Sequence, residues 1–149
     1  MLFVELFALD PSNVGIAWFD FYSIGHFCFG IGVFLFFSLF YTISKHKGKT
    51  PLFSLLFVFI LTLVILVLWE VLEHFLFMDL GWKFEGRADS WQNITTDLII
   101  GAIGGIVSWI FCHEVFMKDK NIWSYYIFGI LGFTVWLVVF MILRALTKT

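Results

Sequence analysis

Charge is scarce in this sequence. Only 13% of its 149 residues are Asp, Glu, Lys or Arg, and the net charge of -2 excludes the basic surface that a nucleic-acid partner needs. Cysteine is rarer still. Cys28 and Cys112 lack metal-type spacing and are too few for a disulfide framework. The start "MLFVELFALDPSN" has no basic n-region and no small-residue cleavage site, so a removable signal peptide is not expected. Also missing are an HExxH helix, a nucleophile elbow, a phosphate-cradling glycine loop, internal repeats and a low-complexity tail.

What is present is apolar. The chain is 61% hydrophobic, with 21 Phe, 7 Trp and a mean hydropathy of +0.98. A soluble domain of this size could not hide so much apolar surface, so the expected solvent is a lipid bilayer. Four runs, at 21–44, 52–78, 92–116 and 122–146, are long enough to cross a hydrocarbon core that takes about 20 helical residues. The expected fold class is all-α: one integral membrane domain over 1–149, a four-helix bundle of up-and-down topology. On that topology Cys28 and Cys112 lie at opposite depths, and no bond between them is expected.

Local signals suggest the boundaries. Thr50-Pro51 supplies a cap and an N1 proline for the second span. Asp89 with Gln92 offers a capping pair for the third, and Asn121 a cap for the fourth. Residues 1 to 9 read as a short interfacial helix before the Asp10-Pro11 turn. Trp82, Trp91, Trp123, Tyr125 and Tyr126 suit membrane–water belts, and His113 with Glu114 suits the opposite surface. The Asn-Ile-Thr sequon at 93–95 falls where a span begins and is discounted.

Orientation follows from Lys and Arg near the span ends. Lys45, Lys47 and Lys49 crowd the first loop, with Lys118 and Lys120 in the third. Lys83, Arg87, Arg144 and Lys148 lie on the other side. With no basic residue before the first span, both termini are expected outside, with loops 45–51 and 117–121 cytoplasmic.

Up-and-down topology then makes a geometric prediction. His26 near the start of span one, Glu70, Glu73 and His74 near the end of span two, and Asn93 and Asp97 near the start of span three share one side of the membrane. At 1.5 Å rise per residue most of them lie roughly 5–12 Å inside the span ends. Glu70 shares a helix side with Glu73 and His74. Asn93, Asp97, Gly101 and Gly105 recur every four residues, as do Tyr22, His26 and Gly30, and such polar–glycine faces mark a bundle interior. An ionisable group deep in a span costs about 2.5–3.5 kcal/mol. Relief can come from protonation, from His26 or His74 as a cation, from Arg87, or from a metal. A hydrogen-bonded plug that fixes register is the plain structural alternative. A ferritin-like dinuclear site is not expected, because Glu70 is followed at the third position by Glu73, with His74 one position late.

The stretches "SIGHF", "WEVLE" and "DSWQNITTDLIIGAIGG" together resemble the YjdF-type small inner-membrane proteins, more distantly akin to VanZ-like membrane proteins. The resemblance covers roughly residues 20 to 107. It implies a helical membrane fold with a shared acidic and histidine site at His26, Glu70, Glu73, Asp89 and Asp97. Tyr22 stands where that family's aspartate before the histidine would fall, with Asp20 close by, and Gln92 or Asn93 stands where a second acid is usual.

Three functions are compatible with these residues. In the first, His26, Glu70, Glu73, Asn93 and Asp97 bind a ligand: a divalent metal such as Zn or Mn, a proton, or a lipid headgroup, with Asp89 added to the metal set. In the second, the chain is an enzyme acting on a lipid or lipid-linked substrate, Glu70 and Asp97 serving as base and metal ligand and His26 as acid. In the third, it is an accessory subunit of a larger membrane complex, with a membrane-protein partner or further copies of itself. The first is preferred, and no catalytic residue is assigned.

Overall fold

A computed structural model describes residues 6–83, 86–118 and 121–146. Among these, four helices are long and apolar enough to span a bilayer. Helix α1 is Phe21–His46, α2 Leu55–Leu72, α3 Trp91–Phe111 and α4 Ile122–Leu146. Wide π-type turns extend α2 over Glu73–Phe77 and α3 over Cys112–Lys118.

The helix starts follow capping chemistry, though not always at the expected residue. Asp20 caps α1, its Oδ1 accepting from the amides of Tyr22 and Ser23, while Ser23 Oγ accepts from the Asp20 amide. Asn121 Oδ1 accepts from the Ser124 amide at the start of α4. Helix α2 starts later than Thr50-Pro51: Ser54 is its cap, bonding the Phe57 amide. The residues before it are drawn into the turn by Phe53, whose ring packs against Phe40 and Phe57. Helix α3 is capped by Ser90, which bonds the Asn93 amide, and not by Asp89 with Gln92. Asp89 is held elsewhere, by Lys83.

The tightest pairing is not between sequence neighbours. Helices α1 and α3 run parallel and press backbone to backbone, with α2 and α4 packed around them. A Cβ on Gly30 would overlap the Gly101 carbonyl oxygen, and one on Gly104 would overlap that of Phe27. Short connections favour antiparallel neighbours, but the glycines of α1 and α3 let this diagonal pair approach closer than any side-chain-mediated contact allows. Gly105, one of the small residues on the expected polar face, turns instead toward Phe59 and Thr62 of α2.

Below the polar layer the bundle is filled by Phe34, Val58 and Leu66, all fully buried. Outward faces carry exposed Leu, Ile, Val and Phe, and α4 is the least buried helix. Trp91 and Trp123 are exposed, as belts require, but Tyr125 is not. It faces α1, where its hydroxyl shares a 2.5 Å hydrogen bond with Ser38. Burial of a tyrosine is tolerable because that partner satisfies the polar tip. Cys28 and Cys112 are both buried free thiols.

Of the interfacial helix expected over residues 1 to 9, Leu6 is helical and the chain has left the helix by Phe7. Residues 1–5 lie outside the described residues, as do Lys120 and Lys148, but Phe7 bridges Phe19 in parallel pairing. The Ala8 amide donates to the Phe19 carbonyl and the Phe19 amide to Leu6, each at 2.9 Å. Phe7 to Leu9 follow Leu6 without helical structure, and Phe19 supplies backbone partners to Leu6 and Ala8.

Glycine contacts of this kind are intolerant of added volume. Gly30→Ala and Gly104→Ala should each destabilise the detergent-solubilised protein by about 1–3 kcal/mol. Gly25→Ala, whose Cβ would meet only ordinary contacts at 3.9 Å from Trp136 and Val139, should leave the thermal midpoint nearly unchanged. Equal effects from all three in a thermal unfolding series would contradict the packing described.

Candidate functional site

The parallel register of α1 and α3 positions the first two site residues. His26 lies four residues before Gly30, and Asp97 four before Gly101, so the backbone contact brings the imidazole and the carboxylate together one turn above it. Helix α2, antiparallel to both, delivers Glu70 and then Glu73 at the same depth.

The resulting geometry is compact. His26 Nδ1 is 3.4 Å from Glu70 Oε1, and His26 Nε2 is 3.6 Å from Asp97 Oδ2 and 3.9 Å from Glu73 Oε1. One donor atom each from His26, Glu70 and Asp97 fall within 4.8 Å of one another, and all three residues are buried. Glu70 Oε1 is buried with no hydrogen-bond partner. Its approach to the imidazole is near enough for attraction and too long for a good hydrogen bond. Asp97 is anchored by Ser23 Oγ, which donates to Oδ1 at 2.7 Å. The α1 capping serine is therefore also a support for the site.

A second ring of groups surrounds the first. Glu73 accepts from Trp69 Nε1 at 2.5 Å and from Lys83 Nζ at 2.8 Å. Lys83 also donates to Asp89. Burial opposes the charge on Lys83, but the Glu73 and Asp89 carboxylates outweigh it and hold the ammonium above its usual pKa. Burial pushes the Asp89 carboxyl up, against the pull of Lys83. A narrow cavity of about 30 Å³ joins the two rings, with Lys83, Asp89, Glu73, His26 and Asp97 all in its wall. That is room for a single ion or water.

The segment before α1 covers this end of the bundle. Arg87 donates to the carbonyls of Ser12 and Val14 at 2.6 and 2.5 Å, and Ser90 bonds the carbonyls of Gly15 and Ile16. Asn93 Nδ2 donates to the Ala17 carbonyl and to Asp20 Oδ2, both at 3.1 Å. Asn93 is 2% exposed, leaving no room for a glycan.

The expected site residues therefore divide. His26, Glu70 and Asp97 meet directly. Glu73 touches the imidazole from the outer ring. Asp89 reaches the same cavity, paired to Lys83. Asn93 lines that cavity too, but its amide nitrogen holds the covering segment. His74 stays out of the cluster, its ring beside Phe75 in the wide turn, because Trp69, Glu70 and Glu73 take the inward positions of α2. His113 and Glu114 are exposed at the far end, with Glu114 paired to Lys118. The contributions of Lys83, Ser23 and Trp69 were not visible from pattern. Lys83 and Ser23 sit in a loop and a cap, and Trp69 resembles any aromatic of a span.

Residues 8–118 match the model of a family described as predicted membrane protein, DUF2238. This agrees with the resemblance to YjdF-type proteins, and it does not confirm the VanZ-like link. No curated protein and no solved structure matches.

Asn93 ties α3 to the covering segment through buried bonds, so Asn93→Leu should strand the Ala17 carbonyl and cost about 1–3 kcal/mol. Thermal unfolding in detergent measures it. A midpoint equal to wild type would show that the covering segment is held without this amide.

Proposed function

We propose that this chain, which belongs to the DUF2238 family of predicted membrane proteins, binds a divalent metal cation between His26, Glu70 and Asp97. The observation that carries the reading is the buried Oε1 of Glu70, which accepts no hydrogen bond, beside two further ligand-type side chains from two other helices. Two ligands at about 2.0–2.2 Å from one metal lie at most roughly 4.4 Å apart, so a 4.8 Å spread needs only slight side-chain rotation to close. Two carboxylates and a neutral imidazole balance a doubly charged ion, and the set suits Zn or Mn. The bound ion supplies Lewis acidity and fixed positive charge. The chain supplies donors, orientation through Ser23, and exclusion of lipid.

Charge count supports a cation. Asp20, Glu70, Glu73, Asp89 and Asp97 gather at this end of the bundle, with Lys83 and Arg87 as the cationic side chains described there. A layer so rich in carboxylates beside hydrocarbon is costly until further positive charge arrives.

Binding fits better than conduction. Beneath the three residues the bundle is closed by Phe34, Leu66 and the Gly30–Gly101 contact. In this reading the site opens to the outer face, both termini lie outside, and the lysine-rich loops 45–51 and 117–121 are cytoplasmic.

Metal analysis of the full-length protein purified in detergent, before and after chelation and add-back of Zn or Mn, tests the proposal. About one equivalent per chain is expected, with affinity at least tenfold weaker in Glu70→Gln and in Asp97→Asn. Wild-type protein that takes up no metal, or binding unaltered by both substitutions, would sink it.

A further inference from the structure

Lys83 deserves a role beyond neutralisation, because of where its ammonium sits. It lies between Glu73 and Asp89 in the wall of the same small cavity that His26 and Asp97 line from beneath. Its side chain is only 10% exposed although it belongs to the connection between α2 and α3. Glu73 is the shared member: Oε2 accepts from Lys83, while Oε1 lies 3.9 Å from the His26 imidazole. A positive charge tethered to the protein thus occupies the outer carboxylates of the pocket that His26 and Asp97 line.

We propose that Lys83 is an internal competitor for the site, and that a soluble divalent cation reaches His26, Glu70 and Asp97 by displacing the Lys83 ammonium from Glu73 and Asp89. This rests on the metal-binding reading above and specifies how the site is loaded. Two like charges cannot share a cavity of about 30 Å³ without strong repulsion. The incoming ion and the ammonium therefore exclude one another along the same path. Once the lysine has moved aside, Glu73 and Asp89 are the first carboxylates that the ion meets, and Glu73 can pass it inward to the imidazole. A lysine on a four-carbon stem suits such a task, since its ammonium can swing out to water without unwinding a helix.

Rapid mixing of the detergent-solubilised full chain with Mn or Zn, followed by intrinsic tryptophan fluorescence, to which Trp69 and Trp82 near the site contribute, tests this. Lys83→Met should load metal at least tenfold faster than wild type. Lys83→Ala should load as fast, and added ethylammonium, filling the space left by the side chain, should slow it again towards the wild-type rate. A merely structural lysine would not give that rescue. Lys83→Arg, which keeps the charge and grips carboxylates with two donors, should load more slowly than wild type, and it serves as the test if the neutral variants fail to fold. Wild-type metal binding with loading rates unchanged by Lys83→Met, or unchanged by Lys83→Arg, overturns the competitor role alone. Absence of binding in wild type and variants overturns it together with the metal reading.

Discussion

The close approach of α1 to α3 is the constraint from which the rest of the molecule follows. Gly30 and Gly104 allow two parallel helices to touch through their backbones, and that contact sets the register that places His26 beside Asp97. In lipid, where apolar faces have no water to escape, such small-residue packing supplies association that hydrophobic burial cannot. The polar layer depends on it in turn. If larger residues separated the helices, the imidazole and carboxylates would lose their neighbours, and the cost of their charge would rise.

The layer is built so that no single helix owns it. His26 comes from α1, Glu70 and Glu73 from α2, and Asp97 from α3, while Lys83 and Asp89 come from the connection between the last two. Support is similarly spread. Ser23 caps α1 and also donates to Asp97, and Asn93 begins α3 and also holds the segment before α1. Capping, packing and site orientation are thus performed by the same side chains, which couples the integrity of this end of the bundle to the geometry of the cluster.

The spans and the depth of the polar layer were legible because both rest on long-range regularities: run length, and four-residue spacing such as Tyr22, His26, Gly30 and Asn93, Asp97, Gly101. The loop-borne parts were not. Nothing periodic marks Lys83, and its capture by Glu73 and Asp89 depends on a turn whose path the sequence does not specify. That capture also explains why Asp89 fails as a cap, leaving Ser90 to start α3. Tyr125 misled for a related reason: near a span end an aromatic residue looks interfacial, and only the facing Ser38 reveals that it is inside. His74 shared the expected side of its helix with Glu70 and was still displaced, since two acids and Trp69 had already filled the inward surface.

The parallel pairing carries a consequence for how the chain is made. Ser23 and its Asp97 partner are separated by 74 positions, so α1 leaves the ribosome well before the helix that shields its imidazole. The insertion machinery must therefore release a first segment whose polar stripe still faces either acyl chains or the translocon wall. Glu70 of α2 can meet the imidazole first, but only after α3 has followed is that stripe fully covered, which makes the order of synthesis, and not merely the final energy, part of what this sequence has to satisfy.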